Sequence, residues 1–149
     1  MESKTTPVLV KLSSSALGDH DQPIRLMCHG EIKRVGGGYM LRYQETQTDD
    51  ESGQSITQDV ILSMQKGRVT MTRLGAFGTT MVFVKDRRFE GAYHTPYGDL
   101  GMALYPSQVQ TKLEADHGSV HLEYQLDMPG SMPLSQTIDI EYMAEASPC

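Results

Sequence analysis

Between Val8 and Met143, apolar residues recur at every second position in short runs, and the runs are separated by Gly, Asp, Ser and Pro. A period of two puts alternate side chains on opposite faces of an extended strand, whereas a helix needs a period near 3.6 residues. No convincing helical period intervenes, so the pattern predicts an all-β meander. At 149 residues the chain is long enough for one domain with a real core and short for two. One domain over residues 1–149 is predicted, with 1–6 and 145–149 as mobile tails.

Val8, Val10 and Leu12 open the alternation, and Ile24, Leu26 and Cys28 resume it after a Gly-Asp-His-Asp-Gln-Pro turn. Gly36, Gly37 and Gly38 make a hairpin turn before a strand from Tyr39 to Glu45. One face of that strand reads Tyr39, Leu41, Tyr43, Glu45, so an apolar stripe ends in a carboxylate. The acidic run Asp49, Asp50, Glu51 lacks the spaced ligands of an EF-hand loop and reads as a solvated tip. Strands are expected from Ser55 to Met64, Arg68 to Leu74 and Thr79 to Val84, with Lys85-Asp86-Arg87-Arg88 as a solvated turn. Phe89 to His94 and Leu100 to Leu104 flank Thr95-Pro96-Tyr97-Gly98. Pro106 is expected to end the second of these strands, because proline cannot donate to an inner ladder. Val109 to Glu114, Val120 to Asp127 and Leu134 to Met143 complete the series. Sequential antiparallel strands of this number remove their exposed edges by curling and closing. The predicted fold class is an up-and-down antiparallel β-barrel of about 8–10 strands.

Thirteen Lys and Arg against 19 Asp and Glu give a net charge of −6, a balance that disfavours nucleic acid and anionic membranes as partners. No segment approaches the roughly 18 apolar residues of a membrane span, and the first residues lack the basic and apolar regions of a signal peptide. A soluble, cytoplasmic protein is expected. Cys28 lies in a strand pattern and Cys149 is the last residue, a placement that argues against a structural disulfide and for a reducing compartment.

The order and spacing of Tyr39-x-x-x-Tyr43-x-Glu45, Val69-x-Met71-x-Arg73-x-Gly75, Met81-x-Phe83, Thr95-Pro96-Tyr97-Gly98 and Tyr124-x-Leu126 resemble the YwiB-like family of small bacterial proteins. The likeness runs over nearly the whole chain. It implies a closed calycin-like or lipocalin-like barrel and an uncharacterised function. Two better known barrel groups fit less well. Strict lipocalins carry Gly-x-Trp near the first strand, and this chain has no tryptophan. Intracellular fatty-acid binders carry a helical lid after the first strand and an arginine on the last, neither of which has a counterpart here.

Arg73 is the residue that most invites a functional reading. In phase with Val69 and Met71 it points inward, and a guanidinium is almost never fully buried without an anion. Glu45 is its natural protein partner, since the arginine fork holds a carboxylate at two points. An anion-binding Arg73 in a ligand cavity, with Tyr43, Thr95 and Tyr97 offering hydrogen bonds and Met71, Met81 and Phe83 as walls, is one reading. The other is an Arg73–Glu45 pair that plugs or registers the barrel. The methionines, ten in all, suit either adaptable walls or core filling.

His20, His29, His94, His117 and His121 share no strand face and no ligand spacing with the cysteines, so no metal site is predicted. No nucleophile elbow, phosphate loop or dinucleotide fingerprint is present, and no cofactor is expected. Three functions stay open. The first is a non-catalytic barrel for a small amphipathic or anionic ligand. The second is a structural or protein-interaction module, monomeric or homodimeric, with a side-chain-filled barrel. The third is a small hydrolase or isomerase using His94 or Glu45 as base beside Arg73.

Overall fold

A computed structural model describes residues 5–19, 22–48, 53, 55–75, 78–95, 98–130 and 132–145. Among them the regular elements are ten strands: β1 Thr5–Asp19, β2 Gln22–Val35, β3 Gly38–Thr48, β4 Ser55–Gln65, β5 Arg68–Leu74, β6 Thr79–Val84, β7 Phe89–Thr95, β8 Gly98–Leu113, β9 His117–Asp127 and β10 Leu134–Ala144. Each pairs antiparallel with its neighbour in sequence, and β1 pairs with β10 from Val8↔Ala144 to Ser14↔Ile138, which closes the barrel. The predicted all-β meander is thus the observed fold. Among the described residues no helix is long and apolar enough to cross a membrane.

Alternation sets the interior. On β3, Leu41, Tyr43 and Glu45 are buried between exposed Arg42 and Gln44, and on β10 Gln136, Ile138, Ile140 and Tyr142 all face in. Because the strands run alternately up and down, the turns β2–β3, β4–β5, β6–β7 and β8–β9 share one end of the barrel. The other connections share the opposite end. The short-turn end is filled by apolar side chains, among them Val8, Ile32, Leu41, Met64, Val69, Phe83 and Ile140. Every buried polar side chain among the described residues, Ser14, Glu45, Gln58, Thr79 and Gln136, lies toward the opposite end. Gly38 shows how tightly the short turns close: a Cβ there would sit 2.1 Å from the Met64 carbonyl oxygen, so only glycine fits.

Pro106 does not end a strand. It lies within β8, so the segments expected at Leu100 to Leu104 and Val109 to Glu114 are one strand. The register against β9 shifts between Pro106 and Gln108, leaving Ser107 as a bulge whose hydroxyl donates to the Glu123 carbonyl at 3.1 Å. The β7 ladder reaches only to Phe89↔Leu104, so no β7 carbonyl waits for the N–H that Pro106 lacks. The Pro106 carbonyl instead accepts from the Asp86 N–H at 2.8 Å.

The ends of the chain are also better held than expected. Thr5 and Thr6 pair with Lys33 and Ile32, and the Glu145 N–H donates to the Pro7 carbonyl at 3.1 Å. The rest of the predicted tails, 1–4 and 146–149, and the expected turn residues His20 and Asp21 lie outside the described residues, as does the acidic tip 49–52. Two joints in the wall are thin. β6 and β7 share the single pair Thr79↔Tyr93, and the β2–β3 ladder stops at Gly30↔Tyr43 although both strands run on.

Candidate functional site

The site that the sequence singles out is at the polar end. Tyr43, Val60 and Arg73 are opposite one another across β3, β4 and β5, so the Arg73 side chain passes over Val60 to reach β3. Its Nε donates to Glu45 Oε2 at 3.2 Å and its Nη2 to Oε1 at 3.5 Å. Tyr43 Oη donates to the same Oε1 at 3.5 Å. The Glu45 side chain is 1 % exposed and that of Arg73 14 %, so the pair is desolvated and its partners matter.

Each neighbour responds to the pair. Burial opposes the Arg73 charge, but the Glu45 carboxylate and its hydrogen bond outweigh it and hold the guanidinium above its ordinary value. Burial, then the Glu45 charge, pushes the Tyr43 phenol well above its usual range. Tyr124 is pushed up to about 12 by burial, with Arg73 pulling the other way. Cys28 is raised by burial and then by Glu45, so this free thiol is a poor nucleophile.

Met71 and Met81, opposite each other on β5 and β6, lie one step deeper than Arg73, and Phe83 lies deeper still. All three are core residues beneath the ion pair. Phe83 meets Tyr124 edge to face, with ring centroids 5.0 Å apart at 67°. The Thr95 side chain and Tyr97 lie outside the described residues. His94 is exposed and bonded to Asp99 at 2.8 Å, while Glu45 is committed to Arg73, so neither of the two expected bases stands free beside the guanidinium. Among the described residues no cluster of three or more His, Cys, Asp or Glu has the geometry to hold a metal.

Two site residues escape a pattern built on charged groups. Gln58 and Gln136 are buried, and among the described residues Gln58 Nε2 and Gln136 Oε1 have no hydrogen-bond partner. Their signal in the sequence is an amide in phase with inward apolar residues, Val60 and Leu62 in one case, Ile138 and Ile140 in the other. The described clefts open on the outer wall. One of about 550 Å³ borders Tyr105, Ser107, Glu123 and Thr137, and another of about 740 Å³ borders Leu9, Leu113 and Met143. None of them is lined by Arg73, Glu45 or Met71.

On that outer wall His121 hydrogen-bonds Asp139 through Nδ1 and faces Glu123 through Nε2 at 3.3 Å. The Asp139 bond, against a desolvation cost and with help from Glu123, raises its pKa. A raised folded value means that the pairing contributes fully below the ordinary imidazole value of about 6.5 and is lost as pH climbs through the folded value. The gap in urea midpoint between the wild type and His121→Gln should therefore be larger at about pH 5.5 than at about pH 8.5. An equal gap at both pH values would mean that His121 is held by packing and not by charge.

The architecture defines a closed meander barrel with a buried ion pair near one mouth. A family model described as a domain of unknown function, DUF1934, matches residues 10–140, and the chain belongs to that family. The crystal structure of the ywiB protein from Bacillus subtilis superposes with a TM-score of 0.73 at 18 % identity, covering 97 % of this chain and 96 % of that one. At that identity the likeness shows a shared fold. None of the curated proteins searched matches the chain.

Proposed function

We propose that this protein is a non-catalytic, calycin-like binder of a small amphipathic molecule, taken up at the polar end of the barrel. The observation that carries this reading is the pair of buried amide atoms without partners among the described residues, Gln58 Nε2 and Gln136 Oε1, at the end where Arg73, Glu45 and Tyr43 meet. An unsatisfied buried donor and acceptor each cost about 1–3 kcal/mol, a cost that a ligand with a hydrogen-bonding head would offset. Exposed Leu74, Leu100, Met132 and Leu134 sit around the same end and would meet the apolar part of such a molecule. Glu45 already neutralises Arg73, so the anchor presents a balanced pair, suited to a head that both donates and accepts. An anionic head would have to displace Glu45. Thr95 and Tyr97 complete the proposed set, with Met71, Met81 and Phe83 as its floor. A cytoplasmic setting goes with this reading, since it keeps the Cys28 thiol reduced.

Native mass spectrometry of gently purified protein tests it. The expected result is a reproducible extra mass that denaturation removes, and that Gln136→Leu removes while the melting temperature holds or rises. A bare polypeptide mass for the wild type, together with a Gln136→Leu variant that is simply more stable, would sink the reading. The Arg73–Glu45 pair favours a second reading, a structural module whose barrel is filled by its own side chains, and the bare mass is what that module predicts.

A further inference from the structure

Net charge averages over a marked segregation. Three successive short turns at one end carry Lys33 and Arg34 (β2–β3), Lys66 and Arg68 (β4–β5), and Lys85 and Arg87 (β6–β7), all exposed. These six are nearly half of the 13 Lys and Arg of the chain. Among the described residues none of them forms an ion pair, whereas the adjacent Arg88 is paired with Glu90 and stacks over Tyr105. One acid, Asp86, lies within the three turns. Neighbouring strands are about 4.8 Å apart, so successive tips are spaced by about 10 Å along a basic crescent. Glu114, Asp116 and Glu145 occupy the other side of the same rim, so an anionic chain would be guided to the crescent and away from the rest of the molecule.

A second feature adjoins the crescent. Ser63↔Thr70 and Gln65↔Arg68 are cross-strand pairs on β4 and β5, and these four residues alone line an outer cleft of about 290 Å³. Two hydroxyls, an amide and a guanidinium, with no carboxylate among them, are the donors that phosphate oxygens accept from.

From this placement we infer that the short-turn end is a docking surface for the phosphate backbone of a nucleic-acid duplex, with one phosphate seated among Ser63, Gln65, Arg68 and Thr70. A duplex suits the surface because neutralising its phosphates releases condensed counterions and needs no buried apolar area. Val35 is the sole exposed large apolar residue of these turns, too little to insert into a membrane. A second copy of the chain, basic side on acidic side, would gain only exposed ion pairs, each of which contributes little. The three basic turns carry no exposed aromatic ring, and the exposed Tyr105 ring beside them is already stacked with Arg88, so stacking with single-stranded bases is not provided for.

Fluorescence anisotropy of a short labelled DNA duplex, titrated with the protein between about 50 and 200 mM salt, tests the inference. Six phosphate contacts predict a slope of log affinity against log salt of about −5, hence a loss of about a thousandfold over that range. Arg34→Glu/Lys66→Glu/Arg87→Glu should abolish binding with an unchanged circular dichroism spectrum, and Lys11→Glu/Lys112→Glu on the outer wall should leave it intact. The inference is overturned by any of three results: no duplex binding at the lower salt, equal loss in both variants, or binding to vesicles containing anionic lipid but not to the duplex.

Discussion

Replacing Arg73 by methionine should destabilise the barrel by about 3–5 kcal/mol, because it strands a buried carboxylate. Glu45 has a 1 % exposed side chain and accepts from Arg73 at two points, leaving among the described residues only the Tyr43 bond at 3.5 Å when the guanidinium is gone. The attraction within the pair and the desolvation cost of both charges are of similar size, so the pair itself need not add much net stability. That balance makes the double variant informative. Arg73→Met/Glu45→Leu should recover most of the loss, since two apolar groups of similar volume owe no desolvation cost. Urea unfolding of the wild type, both single variants and the double variant closes the cycle, and a strongly negative coupling identifies the pair as one unit. A cost below about 1 kcal/mol for Arg73→Met would mean that Glu45 reaches water through the open end, the behaviour of an exposed pair. The same variants inform the binding reading: an extra mass lost from a still-folded Arg73→Met protein would mark the guanidinium as an anchor.

How much of this was readable beforehand depended on whether a feature was local. Arg73 and Glu45 were readable because strand phase is local: each follows inward apolar residues at every second position, and the structure turns both inward. The barrel itself was readable for the same reason, repeated from Val8 to Tyr142. Pro106 was not, because its effect depends on a different strand. It is tolerated within β8 since the β7 ladder has already ended at Leu104, and nothing in the residues around Pro106 records that. Gln58 and Gln136 are hidden in the sequence because a buried amide looks like a surface residue until its neighbours in phase are counted. The basic crescent was hidden by a different averaging. The Lys85-Asp86-Arg87-Arg88 turn reads as solvated by itself, and it becomes part of a surface only when the up-and-down order puts it beside Lys33, Arg34, Lys66 and Arg68.

Phe83→Ala should cost about 3–5 kcal/mol, the range for truncating a buried phenylalanine. At about 2–4 °C per kcal/mol for a domain of this size, the melting temperature should fall by about 6–20 °C. Phe83 is fully buried, stands opposite Val69 and packs edge to face on Tyr124. It also lies on the strand with the thinnest joint, since the β6–β7 ladder consists of the one pair Thr79↔Tyr93. The other bonds across this joint, Thr79 Oγ1 donating to the Ala92 carbonyl at 3.2 Å and the His94 N–H to the Gly78 carbonyl at 2.9 Å, lie at the same end, so among the described residues packing alone closes the seam beside Phe83. Losing the Phe83 ring should therefore loosen this joint first. Hydrogen exchange at β6 and β7 amides should accelerate more than at β9 and β10, where the ladder runs unbroken from Leu134↔Leu126 to Met143↔His117. Phe83→Leu, which keeps most of the volume, should cost about 1.5 kcal/mol or less. Uniform acceleration over all strands would show a barrel that opens only as a whole. An Ala variant no worse than the Leu variant would show that the interior beneath Arg73 collapses to fill the space, and a floor that yields in this way is the one a ligand could reshape.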